Sequence, residues 1–143
     1  MADRRDFIKN SCTLCLGVLT VTSVSALLEG CTALPLYKAS AVDNQIHIPK
    51  ASFSSDEKMK MIRCESLDYD ILLVLQEDKN HQALLMKCTH ADNILIANLS
   101  GLSCNLHGST FNLKGEVTNG PANFPLQKFL ISEDNNNISI HIK

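Results

Sequence analysis

Residues 71–87 read Ile-Leu-Leu-Val-Leu-Gln-Glu-Asp-Lys-Asn-His-Gln-Ala-Leu-Leu-Met-Lys. Ile71–Leu75 is a continuous apolar run of strand length, closed by turn residues, and predicts a strand buried on both faces. Glu77-Asp78-Lys79-Asn80 supplies the turn, and His81–Lys87 returns as a second strand.

The flanking segments read as more strands. Upstream, Gln45–Ile48 alternates before Pro49, Lys50–Asp56 is a polar loop, and Met59–Glu65 alternates around Met61 and Ile62. Downstream, Ile94–Ala97 and Leu102–Cys104 flank the turn Asn98-Leu99-Ser100-Gly101. Phe124–Ile131 and Ile138–Ile142 flank Asp134-Asn135-Asn136-Asn137. The last strand sets Ile138, Ile140 and Ile142 on one face and Ser139 and His141 on the other, the period of a half-buried strand. No segment of the body carries a helical stripe. The fold class is therefore all-β, a small antiparallel β-sandwich or barrel.

Composition narrows the function classes. The chain has 143 residues, 45% hydrophobic and 20% charged, with a net charge of −2. Disorder over most of the length is excluded, as is a nucleic-acid binder working through a basic surface. Aromatics are 5% with no Trp, so the core must be built from Leu, Ile and Val. A single long uncharged stretch excludes a polytopic membrane protein. That stretch runs from Asn10 to Leu28, behind the charged segment MADRRDFIKN at residues 1–10. A charged region followed by an apolar one is the layout of an export signal. As a helix, Cys12–Leu28 would reach about 25 Å, short of the roughly 30 Å hydrocarbon core, and it carries several Ser and Thr. The domain plan is an N-terminal signal helix over 1–30, a tether over 31–44 and a folded domain over 45–143. Cys12 and Cys15 have the spacing of a redox pair but lie inside the apolar segment, away from any strand-to-helix context.

Two mixed pairs carry the chemistry: Cys88-Thr89-His90 and Cys104-Asn105-Leu106-His107, with thirteen residues between them. Each follows a predicted strand, so each sits on a loop at a sheet edge. Zinc accepts two Cys and two His tetrahedrally, although zinc fingers usually keep like ligands on one arm. Here each arm holds one of each, which suits a two-iron cluster with one ligand from each arm on each iron.

The pairs and their surroundings resemble the cluster-binding boxes of the Rieske [2Fe–2S] family. The second box extends as Cys104-Asn105-Leu106-His107-Gly108-Ser109-Thr110-Phe111, and Gly115, Gly120-Pro121-Ala122 and Pro125-Leu126 resemble the family's proline-bearing third loop. The resemblance spans about residues 45–143. It implies that Cys88 and Cys104 hold the inner iron and that His90 and His107 hold the outer one. Gly108, Ser109 and Pro121 would surround the cluster. Neutral imidazoles lower the total negative charge, which places such potentials at roughly −150 to +300 mV. In high-potential members each box has one more cysteine, and the two are joined by a disulfide. Asn93 and Leu106 stand at those positions, so this chain resembles the disulfide-lacking, ferredoxin-like type. Ser109 matches the family's serine donor, but Phe111 replaces a tyrosine donor. Fewer hydrogen bonds to sulfur imply a potential in the lower or middle part of the range. Cys64 is the remaining body cysteine and reads as buried and idle. His47, His81 and His141 read as surface residues, and Asp92 as a solvated loop carboxylate.

Arg4-Arg5-Asp6-Phe7-Ile8-Lys9 resembles the twin-arginine signal, which exports proteins already folded around their cofactors. Leu28-Glu29-Gly30-Cys31 is similar to a lipobox, which would make Cys31 a lipidation site. These features imply an exported electron carrier, not an enzyme by itself. It would be held at the membrane surface by a lipid anchor or an uncleaved signal helix, and would exchange electrons with a redox protein donor and acceptor. A small Rieske subunit of a larger oxidoreductase is the alternative, and a zinc-bound structural domain a third reading. No nucleic-acid partner is expected.

Overall fold

Alternate side chains of Ile71–Leu75 enter two different cores. Ile71 and Leu73 pack with one set of buried residues, Leu72 and Val74 with another. The structure is a computed structural model and describes residues 34–142. The expected signal segment and Cys31 lie outside the described residues. The strands in chain order are β1 (Leu36–Ala39), β2 (Ala41–Val42), β3 (Gln45–Pro49), β4 (Met59–Cys64), β5 (Ile71–Leu75) and β6 (His81–Leu85). They continue as β7 (Ile96–Asn98), β8 (Gly101–Ser103), β9 (Thr110–Phe111), β10 (Val117–Asn119), β11 (Lys128–Glu133) and β12 (Asn137–His141). A 3₁₀ turn at Lys50–Ser52 is the only helix among the described residues, so the all-β expectation holds.

Eight strands form one sheet in the order β1-β4-β5-β6-β11-β12-β3-β2, and four form a second, β10-β9-β8-β7. The edge strands of the larger sheet, β1 and β2, are consecutive in the chain with only Ser40 between them. Its two edges therefore meet, and the sheet curls into a barrel. The barrel interior is aliphatic: Ile46, Ile48, Ile62, Ile71, Leu73, Ala83, Ile138 and Ile140 are fully buried. The second core lies between the outer face of β4–β6 and the small sheet. It contains Met59, Leu72, Val74, Leu84, Met86, Leu102 and Phe111. This double cover is why residues 71–75 are apolar without alternation.

The reading of 31–44 as a tether is corrected from residue 36 onward. β1 pairs with β4, Tyr37 opposite Ile62, and β2 pairs with β3, Ala41 opposite Ile46. Tyr37, Ala39 and Ala41 pack on the barrel interior. These inward positions hold small or amphipathic residues, so their period-2 signal is weak. The β1–β4 pair is also parallel, whereas the other strand pairs are antiparallel.

Expected turns form as side-chain chemistry dictates. In the 77–80 turn Lys79 adopts φ 66°, and the Asp78 carboxylate accepts the Asn80 N–H at 3.1 Å. At the 134–137 turn Asp134 Oδ1 accepts the N–H groups of Asn136 and Asn137, both at 2.7 Å. These bonds hold the Asp134 carboxyl below its usual range. The 50–58 loop is pinned by the buried Lys60, whose ammonium donates to the Ser52 carbonyl. It also pairs with Glu57 at 3.1 Å and lies 4.4 Å from the Phe53 ring centre. His81 is no plain surface residue. It packs on Phe53 and pairs with Glu133 at 2.8 Å, and Lys50 holds the other Glu133 oxygen at 2.9 Å.

Core and surface leucines must differ in energetic weight. Leu73→Ala, deep in the barrel, is expected to lower stability by about 2–5 kcal/mol through lost transfer energy and a residual cavity. Leu130→Ala, 79% exposed on β11, is expected to change it by less than about 0.5 kcal/mol. Denaturant midpoints of the two variants check the double-core arrangement.

Candidate metal centre

Two loops of equal length hold the mixed pairs. The first, residues 88–93, is bracketed by the bridge between Lys87 and Ile94 at the end of β6. The second, residues 104–109, is bracketed by the register pair Ser103 and Thr110 of β8 and β9. Their main chains repeat the same bonding. Cys88 N–H donates to Asn93 C=O at 2.8 Å, and Cys104 N–H donates to Ser109 C=O at 2.8 Å. Asp92 N–H donates to Cys88 C=O at 3.0 Å, and Gly108 N–H donates to Cys104 C=O at 3.0 Å. The fifth residue of each loop turns left-handed, Asp92 at φ 51° and Gly108 at φ 79°. The loops are thus structural counterparts, Cys88 matching Cys104 and Asn93 matching Ser109.

This geometry sorts the donors by environment. Cys88 and Cys104 are 1% and 3% exposed and belong to the outer core beside Phe111 and Leu102. His90 and His107 are exposed, with ring centres 4.9 Å apart and planes at 83°. Burial pushes the Cys104 thiol up, but opposing hydrogen bonds win and bring it below the usual thiol range. They come from the Leu106 backbone, the Asn93 amide, the Cys88 thiol and the His107 backbone. Among the described residues no three His, Cys, Asp or Glu side chains gather as a single-ion site. The thiols form one buried pair and the imidazoles one exposed pair.

A third loop ties the first two together. Thr89 Oγ1 donates to Phe124 C=O at 2.7 Å, Asn119 Nδ2 to Gly108 C=O at 3.0 Å, and Ala122 N–H to Ser109 Oγ at 3.0 Å. Ser109 is fully buried, and its hydroxyl oxygen accepts from Ala122. Among the described hydrogen bonds its proton has no acceptor. A buried hydroxyl in that state fits a site with sulfur to receive it. Pro121, joined to Gly120 by a cis peptide, lies exposed on this loop.

The remaining candidates stand apart. Cys64 is buried in the barrel core, its sulfur 3.1 Å from Ser66 Oγ. His47 and His141 bond to Ser139 and Ser132 on the barrel surface. Asp92 is the solvated loop carboxylate expected, its side chain 74% exposed; it pairs with Lys87 at 3.0 Å, and Tyr69 donates to its carbonyl. Sequence reasoning placed Thr89 and Asn93 in the first box without giving either a hydrogen-bonding role, and it missed Asn119. Thr89 lies inside the first quoted pair and Asn119 directly precedes Gly120-Pro121-Ala122, which was the available signal.

With this geometry in hand, the chain is assigned to a family. The model of the Rieske [2Fe–2S] domain matches residues 45–130. The chain belongs to this family of electron-transfer iron–sulfur proteins, whose cofactor is a Rieske-type [2Fe–2S] cluster. A search of curated proteins finds no match. Among solved structures, the quaternary ammonium Rieske monooxygenase CntA in complex with an inhibitor is similar, with a TM-score of 0.55 and 16% identity. That alignment covers 70% of this chain and 32% of CntA, so the likeness is one of fold and takes in about a third of the oxygenase. The cyanobacterial plasma membrane Rieske protein PetC3 from Synechocystis PCC 6803 aligns over 68% of this chain and 85% of its own, at 18% identity and a TM-score of 0.46. Naphthalene 1,2-dioxygenase aligns at 21% identity over 52% of this chain and 21% of its own, with a TM-score of 0.47. Among the described residues no helix is long and apolar enough to cross a membrane.

The site depends on the close approach of β8 to β9. Gly101 adopts φ 154°, and a Cβ there would lie 2.2 Å from the Phe111 carbonyl oxygen. Backbone cannot yield as a side-chain tip can, so Gly101→Ala must displace β9 and the loop carrying Cys104. The expected outcome is a several-fold loss of iron per purified chain and a lower denaturant midpoint, measured against Ser100→Ala on the exposed turn.

Proposed function

We propose that this chain is an exported, membrane-tethered electron-transfer protein that holds one [2Fe–2S] cluster through Cys88, His90, Cys104 and His107. The observation that carries the reading is the pair of matched loops, which bury both thiols and expose both imidazoles. The cluster, when bound, takes up and releases one electron. The protein's own part is to exclude water from the sulfur side and to leave the histidine side open. Cys88 and Cys104 sit in an aliphatic core, where charge is costly and few hydrogen bonds are available other than those the loops supply. His90 and His107 form the exposed tip through which electrons enter and leave. Gly108 lets the second loop turn tightly, Ser109 offers its hydroxyl, and the Pro121 loop covers the site.

Leu106 and Phe124 flank this tip and are 54% and 70% exposed. Their position supports contact with the apolar surface of a redox protein donor or acceptor. The same observation favours a second reading, a small Rieske subunit of a larger oxidoreductase. Export and tethering rest on the twin-arginine-like segment and on Cys31 as a lipidation site.

Visible and paramagnetic-resonance spectra of the purified chain, before and after dithionite, test the cluster assignment. A red-brown protein with a Rieske-type signal only after reduction is expected. His90→Ala and His107→Ala should each abolish that signal, whereas His47→Ala and His141→Ala should leave it intact. A colourless protein containing zinc would overturn the electron-transfer reading. For the anchor, Cys31→Ser should move the protein from the membrane fraction to the soluble fraction, and retention on the membrane would contradict lipidation at that residue.

A further inference from the structure

We infer that Asn93 is a positioning and tuning residue of the cluster site, its side-chain amide donating a hydrogen bond to the Cys104 sulfur. The inference rests on the proposed ligand set. Asn93 Nδ2 lies 3.6 Å from Cys104 Sγ, within reach of sulfur with its larger radius, and 3.3 Å from the Ile94 carbonyl oxygen. Both neighbours are acceptors, so the NH₂ end of the amide must face them and not its oxygen. The orientation follows from the surroundings.

One further contact of its own, and two made by its neighbour Asp92, hold Asn93 in place. Its carbonyl accepts the Cys88 N–H at 2.8 Å. Asp92, just before it, takes the left-handed conformation that turns the chain back toward the core. Asp92 is gripped twice, by Lys87 at 3.0 Å and by the Tyr69 hydroxyl, and the Lys87 ammonium lies 5.5 Å from the Tyr69 ring centre. The amide is therefore presented by a braced turn.

The contact also has a special place in the network. Thr89, Asn119 and Ser109 each tie one matched loop to the third loop. Apart from the Cys88 thiol at the ligand pair itself, Asn93 is the side chain that hydrogen-bonds from the first matched loop directly to the second. The described cysteines are all free, so no covalent link does so. By the loop correspondence Asn93 is the counterpart of Ser109. Each loop thus places a side chain with a donor group at its sixth position, and Asn93 directs its own at a sulfur.

The consequence is electronic. Adding one electron makes a ligand sulfur a better acceptor, so a fixed N–H donor stabilises the reduced state more than the oxidised one. Removing the donor must lower the reduction potential. Asn93→Leu keeps the approximate volume and removes the donor. Asn93→Asp keeps the shape, replaces the NH₂ with an acceptor, and guards against a leucine variant that fails to assemble. In a redox titration of the full chain, each variant is expected to need a potential lower by roughly 30 to 60 mV. That equals a three- to tenfold change in the oxidised-to-reduced ratio at 59 mV per decade. The visible spectrum of the oxidised protein checks that the cluster is intact, and a purely structural role would leave the potential of the loaded protein unmoved. Loaded variants within about 10 mV of the wild type would overturn the inference alone. A wild-type protein without a Rieske-type signal would defeat the proposed ligand set, and this inference with it.

Discussion

Strand β5 has no solvent face, and the architecture follows from covering it twice. One face closes into a barrel lined by isoleucine and leucine, because the strands at the two ends of the larger sheet adjoin in the chain. The other face is covered by a four-stranded sheet and the loops around it. The two cysteines lie in that second core. The proposed metal site therefore rests on the same packing that satisfies the hydrophobic demand of residues 71–75.

The chemistry depends on how sharply the environment changes across a short distance. Thiol sulfurs sit among Phe111, Leu102 and Met86, while the imidazoles face water. Matched main-chain bonds in the two loops set this gradient, and the third loop holds it with three side-chain hydrogen bonds. Among the described residues no disulfide contributes. Hydrogen bonds and an ion pair do the holding, and they also supply donors at the sulfurs. Asn93 combines both tasks, bracing the first loop and directing an N–H at the Cys104 sulfur.

Much of this was legible from residue patterns. The hairpin around Glu77–Asn80, the last strand with its alternating isoleucines and the two mixed Cys–His pairs all appear where they were expected. Each owes its structure to local chemistry: turn residues, period-2 burial, or a short loop after a strand. What was not legible depends on distant partners. Residues 36–42 looked like a tether because Ala39 and Ala41 give little hydrophobic signal, yet they complete a barrel. His81 looked like a surface residue because its partners, Phe53 and Glu133, are far away in the chain. Asn93 was noticed only for the cysteine it lacked. Its approach to Cys104, eleven residues away in the second loop, is visible only once the two loops face each other.

The amino-acid sequence by itself determined that the chain is all-β, that its core is aliphatic, and which four side chains are candidate iron ligands. Those properties reside in composition, in periodicity and in short motifs, so they need no knowledge of long-range contacts. Only the tertiary structure decided that the thiols are buried and the imidazoles exposed, that the loops are counterparts, and that Asn93 reaches across to a sulfur. These are relations between segments brought together by sheet pairing and packing, and one-dimensional spacing does not specify them.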